Sequence, residues 1–220
     1  MTRWGIGMAV RARGTVAVAA MGLAAALVGG AVFAPVARAQ SAPAAPGDEI
    51  RVAALAELKV LEGRELQFAN EMPAEKYTWN PGVMLNPPAP NPQADPYGRT
   101  VADLFLHIAN TNFTHAAQLG APPAEGFNPK DYETSTTDKT KVIGELAKSF
   151  TYAEGWLGKM TAADMSKHYK IGKDDMTGNA ALFAWIVDLN DYTGQTIAYG
   201  RINGIIGTGP TDFHMRKAGQ

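Results

Sequence analysis

The amino-acid sequence predicts an all-α protein built as a four-helix bundle. The first observation is that apolar residues recur at helical spacing in four segments of roughly 20 residues each. The second is that proline- and glycine-rich stretches separate these segments, and the third is that no segment shows a sustained alternation of apolar and polar residues. Hydrophobic residues make up 46% of the chain and charged residues 19%, a composition that can form a buried core.

Residues 1–39 are predicted to be a signal peptide. A basic start is followed by an uncharged apolar stretch over residues 15–34 and by a small-x-small pattern at residues 37–39, which a signal peptidase recognises. The basic residues of the start are Arg3, Arg11 and Arg13. We therefore predict export by the general secretory route to the periplasm or the medium, with no stable membrane association after cleavage. The alternative is an N-terminal membrane anchor, because about 20 apolar residues can span a bilayer.

The first helix is predicted over residues 48–70, after a short disordered linker over residues 40–47. Asp48 suits the N-terminus of a helix, where the helix dipole favours negative charge, and Pro73 ends the helix. Residues 72–99 contain seven prolines and cannot continue it as an α-helix. We interpret this segment, and residues 160–176, as long crossover loops, with a lid over a ligand as the alternative.

The three other helices are predicted over residues 100–119, 138–160 and 177–202. Thr100 and Asp103 form a capping-box pattern at the start of the second helix, and Gly120 follows its end. The second and third helices are joined by the eighteen residues 120–137. Fully extended, this connection would span roughly 60 Å, whereas a 20-residue helix is about 30 Å long, so the connection can run the whole length of a helix. This length favours an up-down-down-up order. The domain is predicted over residues 48–210, with a C-terminal tail over residues 211–220.

The charge and the absence of cysteine exclude several functional classes. The chain has no cysteine, which excludes disulfides, thiolate metal sites and a cysteine nucleophile. Beyond the predicted signal, 16 Lys and Arg stand against 21 Asp and Glu, a net charge of −5. This acidic balance argues against a nucleic-acid partner, since phosphate contacts require clustered basic residues.

Polar side chains share one stripe of the fourth predicted helix and face similar residues on the second. The fourth helix places five polar or aromatic residues within about 80° of one another on a helical wheel. These are Trp185, Asp188, Tyr192, Gln195 and Tyr199. On the second helix, His107 lies at the edge of the apolar face, with Asp103 and Thr111 one turn away on either side.

Two interpretations of these residues remain open. In the first, His107, Asp188 and Tyr192 hold a metal ion, because imidazole, carboxylate and phenolate all bind transition metals. In the second, the same residues form a hydrogen-bonded network without a metal. Asp103, Thr111, Trp185, Gln195 and Tyr199 are the candidate lining of a pocket in either case. The sequence contains no serine-nucleophile elbow, no phosphate-binding glycine loop and no HExxH motif.

Three fragments in this order resemble the DinB-like family of four-helix bundles, whose larger grouping includes bacillithiol and mycothiol transferases. The first fragment is NEMPAEKY with WNP, over residues 70–81, and the second is RTVADLFLHIAN, over residues 99–110. The third is Gly194-Gln195 followed by Tyr199, Arg201, Asn203 and Gly204. The resemblance covers residues 50–210, nearly all of the predicted mature chain.

The resemblance implies a divalent metal held by one histidine on the second helix and an HxxxH pair on the fourth. His107 stands at the first of these positions, whereas Asp188 and Tyr192 stand where the pair is expected. The site is therefore degenerate. It either retains one divalent transition metal (iron, manganese, zinc or nickel) with altered ligands, or it has lost the metal and kept a hydrogen-bonded plug.

The resemblance further implies a metal-dependent transferase or hydrolase whose substrate the sequence does not identify. Export makes a cytoplasmic thiol an unsuitable cosubstrate, which disfavours the thiol-transferase form. The alternative is a non-enzymatic bundle that binds a small-molecule ligand or has a structural role, without a metal. A homodimer is a further expectation, because helix bundles of this kind often pair.

Overall fold

Long α-helices make up most of residues 48–84 and 98–205, which are the residues that the computed structural model describes. The long helices are α1 (Glu49–Glu71), α2 (Val101–Gln118), α3 (Lys139–Leu157) and, after a short α4 (Ala162–Ser166), α5 (Gly178–Ile202). Two 3₁₀ turns follow α1, at Ala74–Lys76 and Pro81–Met84. The prediction of a predominantly helical chain is confirmed.

Several predicted segments lie outside the described residues. These are the signal peptide at 1–39, the linker at 40–47, residues 85–97 of the predicted crossover segment 72–99, residues 206–210 of the predicted domain and the tail at 211–220. Within the described ranges, no helix combines the length and the apolar character that crossing a membrane requires.

The ends of the helices follow the predicted local signals. The side-chain oxygen of Thr100 accepts a hydrogen bond from the Asp103 amide at 3.1 Å, and the Asp103 carboxylate accepts one from the Thr100 amide at 3.2 Å. This reciprocal pair is the predicted capping box. Just beyond α2, Gly120 has a φ of +89°, a left-handed conformation that glycine adopts without steric cost. Asp138 and Thr177 cap α3 and α5 in the same side-chain-to-amide manner.

Side-chain contacts fix the relative directions of neighbouring helices. Asn112 bonds Ser149, and the end of α2 accepts a bond from Trp156 through the Leu119 carbonyl, so α2 and α3 run in the same direction. Between α2 and α5 the order reverses, because the indole of Trp185 reaches Asn112 whereas the hydroxyl of Tyr199 reaches the Arg99 carbonyl. The amine of Lys139, at the start of α3, binds the carbonyl of Asn70 near the end of α1 at 2.7 Å, so α1 and α3 are antiparallel.

A small β-hairpin between α4 and α5 differs from the prediction, which placed a loop over residues 160–176. The antiparallel strands are β1 (His168–Ile171) and β2 (Asp174–Thr177), joined by the two residues Gly172 and Lys173. Gly172 has a φ of +60°, which suits the first position of a tight hairpin turn. Polar and apolar residues alternate in β1, but only over four residues, and β2 does not repeat the alternation, so the pattern is too short to predict a strand.

Two glycine substitutions are expected to change stability in opposite directions. A Cβ added at Gly178 would lie 2.8 Å from the Asp164 carbonyl oxygen and 2.9 Å from the Met165 Cα, both backbone atoms of α4. Gly178→Ala should therefore lower the free energy of unfolding by about 1–3 kcal/mol. A Cβ added at Gly155 on α3 would have no neighbour within 4 Å, so Gly155→Ala should raise the free energy of unfolding by about 0.5–1 kcal/mol. Urea unfolding measures both, and a gain in stability at Gly178 would contradict the close approach of α4 to α5.

Candidate functional site

A group of polar side chains meets at the surface of α2, around a carboxylate from the connection between α2 and α3. Glu133 Oε1 lies 2.7 Å from His107 Nδ1 and accepts a hydrogen bond from Asn110 Nδ2 at 2.8 Å. Glu133 Oε2 accepts a bond from Arg99 Nε at 3.2 Å. We call these four residues the Glu133 cluster. Three side chains thus converge on the two oxygens of one carboxylate.

The Glu133 cluster is half-buried and charged. The side chain of His107 is 15% exposed and that of Glu133 27% exposed. Burial acts to raise the pKa of Glu133, but the hydrogen bonds from His107, Asn110 and Arg99 outweigh it and lower this pKa to about 2. Glu133 is therefore ionised at neutral pH. The cluster is partly open to solvent.

The donors of the Glu133 cluster are held by the helices. His107 and Asn110 lie one turn apart on α2 and therefore share a face. Arg99 directly precedes the capping residue Thr100, and its carbonyl accepts a 3.0 Å hydrogen bond from the Tyr199 hydroxyl on α5. The ring of Tyr199 in turn packs edge-on against Trp79. The backbone of Arg99 is consequently held by a contact with α5, and that of His107 and Asn110 belongs to α2.

Tyr192 is the predicted site residue that the structure places against His107. The two ring centroids are 4.5 Å apart and the rings are nearly perpendicular. Burial, followed by the negative charge of Asp188, raises the pKa of the Tyr192 hydroxyl, although a hydrogen bond with Thr111 acts in the opposite direction. Tyr192 is therefore a neutral phenol at physiological pH, and it forms one wall of the region beside the Glu133 cluster.

Asp188 is paired with a different histidine. Its Oδ2 lies 3.6 Å from His115 Nε2, and the His115 ring stacks on Trp185 with a centroid distance of 5.7 Å. Burial lowers the pKa of His115, and the charge of Asp188 only partly offsets this effect. Asp188 and Tyr192 are one turn apart on α5, but they contact different histidines of α2.

The candidate pocket-lining residues have separate roles in the structure. Trp185 is fully buried and donates a hydrogen bond from Nε1 to Asn112 Oδ1 at 3.2 Å. Asp103 belongs to the capping box of α2, and Tyr199 bonds the Arg99 carbonyl. Gln195 is exposed, whereas Thr111 is buried beside Tyr192.

The predicted metal ligands do not form a ligand set. Across residues 48–84 and 98–205, no group of three histidine, aspartate or glutamate side chains is arranged to hold a metal ion. The Nδ1 of His107 is bound to Glu133, and Asp188 is bound to His115. The structure therefore places Tyr192, but not Asp188, in direct contact with His107.

Reasoning from the sequence did not assign three members of the Glu133 cluster to the site. Arg99 and Asn110 belong to the fragment that resembles the DinB-like family, so that fragment was a signal that could have found them. Glu133 lies 26 residues after His107 in an irregular connection, and no periodicity or motif marks it.

A second buried carboxylate lies between α1 and α5, away from any solvent. Glu65 is 1% exposed, and its Oε1 accepts a hydrogen bond from the Thr193 hydroxyl at 2.6 Å. Burial raises the pKa of Glu65 to about 7, although the hydroxyl contacts from α5 and the charge of the adjacent Arg64 oppose this rise. Near neutral pH, Glu65 therefore exists in both protonation states.

No protein-family model matches the sequence, and no curated protein matches it either. The likeness to the DinB-like family consequently rests on the three sequence fragments described above.

Proposed function

We propose that this protein is an exported, DinB-like four-helix bundle that binds a small polar molecule at the Glu133 cluster, without a metal. The bundle is proposed to have the order up-down-down-up, with α5 as its fourth helix. Support comes from the directions of neighbouring helices. The helices α2 and α3 are parallel, α5 is antiparallel to α2, and α1 is antiparallel to α3.

The observation that carries this proposal is the convergence of Arg99, His107 and Asn110 on one half-exposed position. Arginine and asparagine supply fixed N–H donors, and a histidine nitrogen can donate or accept. Small-ligand sites typically combine a few such polar groups with aromatic walls. Here Tyr192 supplies an aromatic wall at 4.5 Å from the His107 ring. A ligand with several oxygen acceptors suits this donor set best.

The metal-dependent transferase or hydrolase is the second candidate, favoured by one specific observation. Glu133 binds Nδ1 of His107, so Nε2 is the ring nitrogen left to face a ligand. Histidines that bind metals commonly have their other nitrogen held by a carboxylate in this way. The same geometry serves a histidine that only binds an organic ligand, and of the other two predicted metal ligands Tyr192 lies against His107 whereas Asp188 faces His115.

The experiment that tests the proposal is a thermal-shift screen of polar small molecules against the chain from Gln40, produced without a His tag. A genuine ligand should raise the Tm of the wild-type protein, and His107→Ala should abolish this rise. His168→Ala is the matched control, because His168 lies exposed on the β1–β2 hairpin and should leave the rise unchanged. His107→Gln, which keeps a polar side chain of similar size, covers the case in which the alanine variant fails to fold.

Two results would overturn the proposal. One is a screen without ligands, or with ligands that bind His107→Ala as well as the wild type. The other is one equivalent of iron, manganese, zinc or nickel in the purified wild-type protein, measured by elemental mass spectrometry, that disappears in His107→Ala. That second result would establish the metal-dependent candidate in its place.

A further inference from the structure

We propose that Glu133 occupies a carboxylate-binding site, and that the ligand of this protein is a small molecule whose own carboxylate takes the place of the Glu133 side chain. This inference rests on the proposed function and specifies the chemical class of the ligand.

The donors match a carboxylate in number and in placement. Both oxygens of Glu133 are bound, one by His107 and Asn110 and the other by Arg99. Glu133 is ionised, as its lowered pKa shows, so these donors already hold a carboxylate anion. Arginine and imidazole bind carboxylates more strongly than they bind neutral acceptors, because charge-assisted hydrogen bonds are stronger. A carboxylate on a ligand would meet the same three donors.

The donors and their occupant are anchored differently. His107 and Asn110 belong to α2, and Arg99 is fixed next to the α2 cap by Tyr199. Glu133 instead belongs to an irregular connection, in which Asp131 and Thr134 are exposed whereas the adjacent Tyr132 is buried. The backbone that carries the three donors would therefore keep its position if the Glu133 side chain withdrew, which leaves the framework of the site in place.

Open space lies beside the connection that carries Glu133, although Glu133 itself does not line it. A cleft with a volume of about 520 Å³ lies between the connection and α3. Tyr132, Ser135 and Thr136, which flank Glu133 in the sequence, line one side of the cleft, and Lys141 and Glu145 of α3 line the other. Two residues before Glu133, Asp131 has a φ of 59°, a left-handed backbone conformation that is uncommon outside glycine. Tyr132 is buried and donates a hydrogen bond to Glu145 on α3, so withdrawal of the Glu133 side chain toward solvent would leave Tyr132 and the helices in place.

An internal occupant lowers the apparent affinity for a free carboxylate. A group tethered to its own binding site competes at an effective concentration in the millimolar range or above. Acetate, which offers no contact beyond its carboxylate, should therefore bind the wild-type protein only weakly. Removal of Glu133 should uncover the site and increase the affinity for acetate by about tenfold or more, which corresponds to a site that Glu133 leaves free for about a tenth of the time or less.

The test compares acetate binding by the wild-type chain from Gln40, Glu133→Ala and a matched control, Glu125→Ala. Glu125 is an exposed glutamate of the same connection, so its removal causes the same change in net charge. Binding is followed by the NMR signals of the His107 imidazole during titration with sodium acetate, with the ionic strength held constant by sodium chloride. Glu133→Gln, which preserves the size of the side chain, is titrated in parallel in case the alanine variant does not fold.

The expected result is an acetate Kd at least tenfold lower for Glu133→Ala than for the wild type, with no change for Glu125→Ala. Adding Arg99→Ala to Glu133→Ala should remove this gain, because Arg99 is the cationic donor of the site. Acetate affinities in both Glu133 variants that do not exceed that of the wild type would overturn the inference. A ligand from the thermal-shift screen that requires His107 but has no carboxylate would also overturn it, and the proposed function would then still stand.

Discussion

Raising the pH from 5 to 8 is expected to destabilise the wild-type protein by roughly 2–3 kcal/mol more than it destabilises the Glu65→Gln variant. Glu65 has a pKa of about 7 in the folded protein, because burial between α1 and α5 disfavours its charge, and an ordinary value of 4.5 when exposed. Between these values the unfolded chain has lost the proton while the folded chain retains it. Stability therefore falls as the pH rises through this window and levels off above pH 7.

Urea unfolding of both proteins at pH 5 and pH 8 measures this difference. The Gln side chain still accepts a hydrogen bond from Thr193, so the variant retains the main contact of Glu65. Glu75→Gln is the control, since Glu75 is exposed in the first 3₁₀ turn after α1 and should leave the pH dependence unchanged. If Glu65→Gln and the wild type lose stability in parallel between the two pH values, Glu65 is not buried as a protonated acid.

Truncation of Trp185 is expected to cost about 3–5 kcal/mol of unfolding free energy, the largest effect of any substitution considered for this protein. The Trp185 side chain is fully buried, and its Nε1 bonds Asn112, which in turn bonds Ser149. Trp185→Ala would leave a cavity in the core and remove the donor for Asn112 Oδ1. Urea unfolding at constant pH gives the change directly.

The outcome for Trp185 distinguishes a core residue from the wall of an open pocket. Phe183→Ala provides the comparison, because Phe183 is a large aromatic residue two positions earlier on α5 but is 66% exposed. We expect this control to change the unfolding free energy by about 0.5 kcal/mol or less. Similar small effects at both positions would mean that Trp185 faces open space and belongs to a ligand pocket.

The helices were predictable because their signals are local. The capping box of Thr100 and Asp103 is visible in four consecutive residues, and it forms as expected. The hairpin over residues 168–177 was not predictable in the same way. Its pairing depends on a two-residue turn at Gly172, and the alternation of polar and apolar residues in β1 covers only four residues and is not repeated in β2.

The site was predictable only at the level of single helices. A helical wheel correctly places Asp188 and Tyr192 one turn apart, but it does not say which residues of α2 each one meets. Because α2 and α5 run in opposite directions, the earlier residue on α5 lies further along α2. Asp188 therefore reaches His115, whereas Tyr192 reaches His107.

The shared direction of α2 and α3 has a consequence for how ligand preference can change during evolution. His107 lies twelve residues before the end of α2 at Leu119, about 18 Å along the helix, so a short turn at that end could not return to it. A connection that must travel back along α2 instead passes His107 and delivers Glu133 there. Surface connections tolerate substitutions and insertions far better than packed helices do. Related proteins could therefore acquire new ligand preferences by changing this connection alone, with the helical core kept intact.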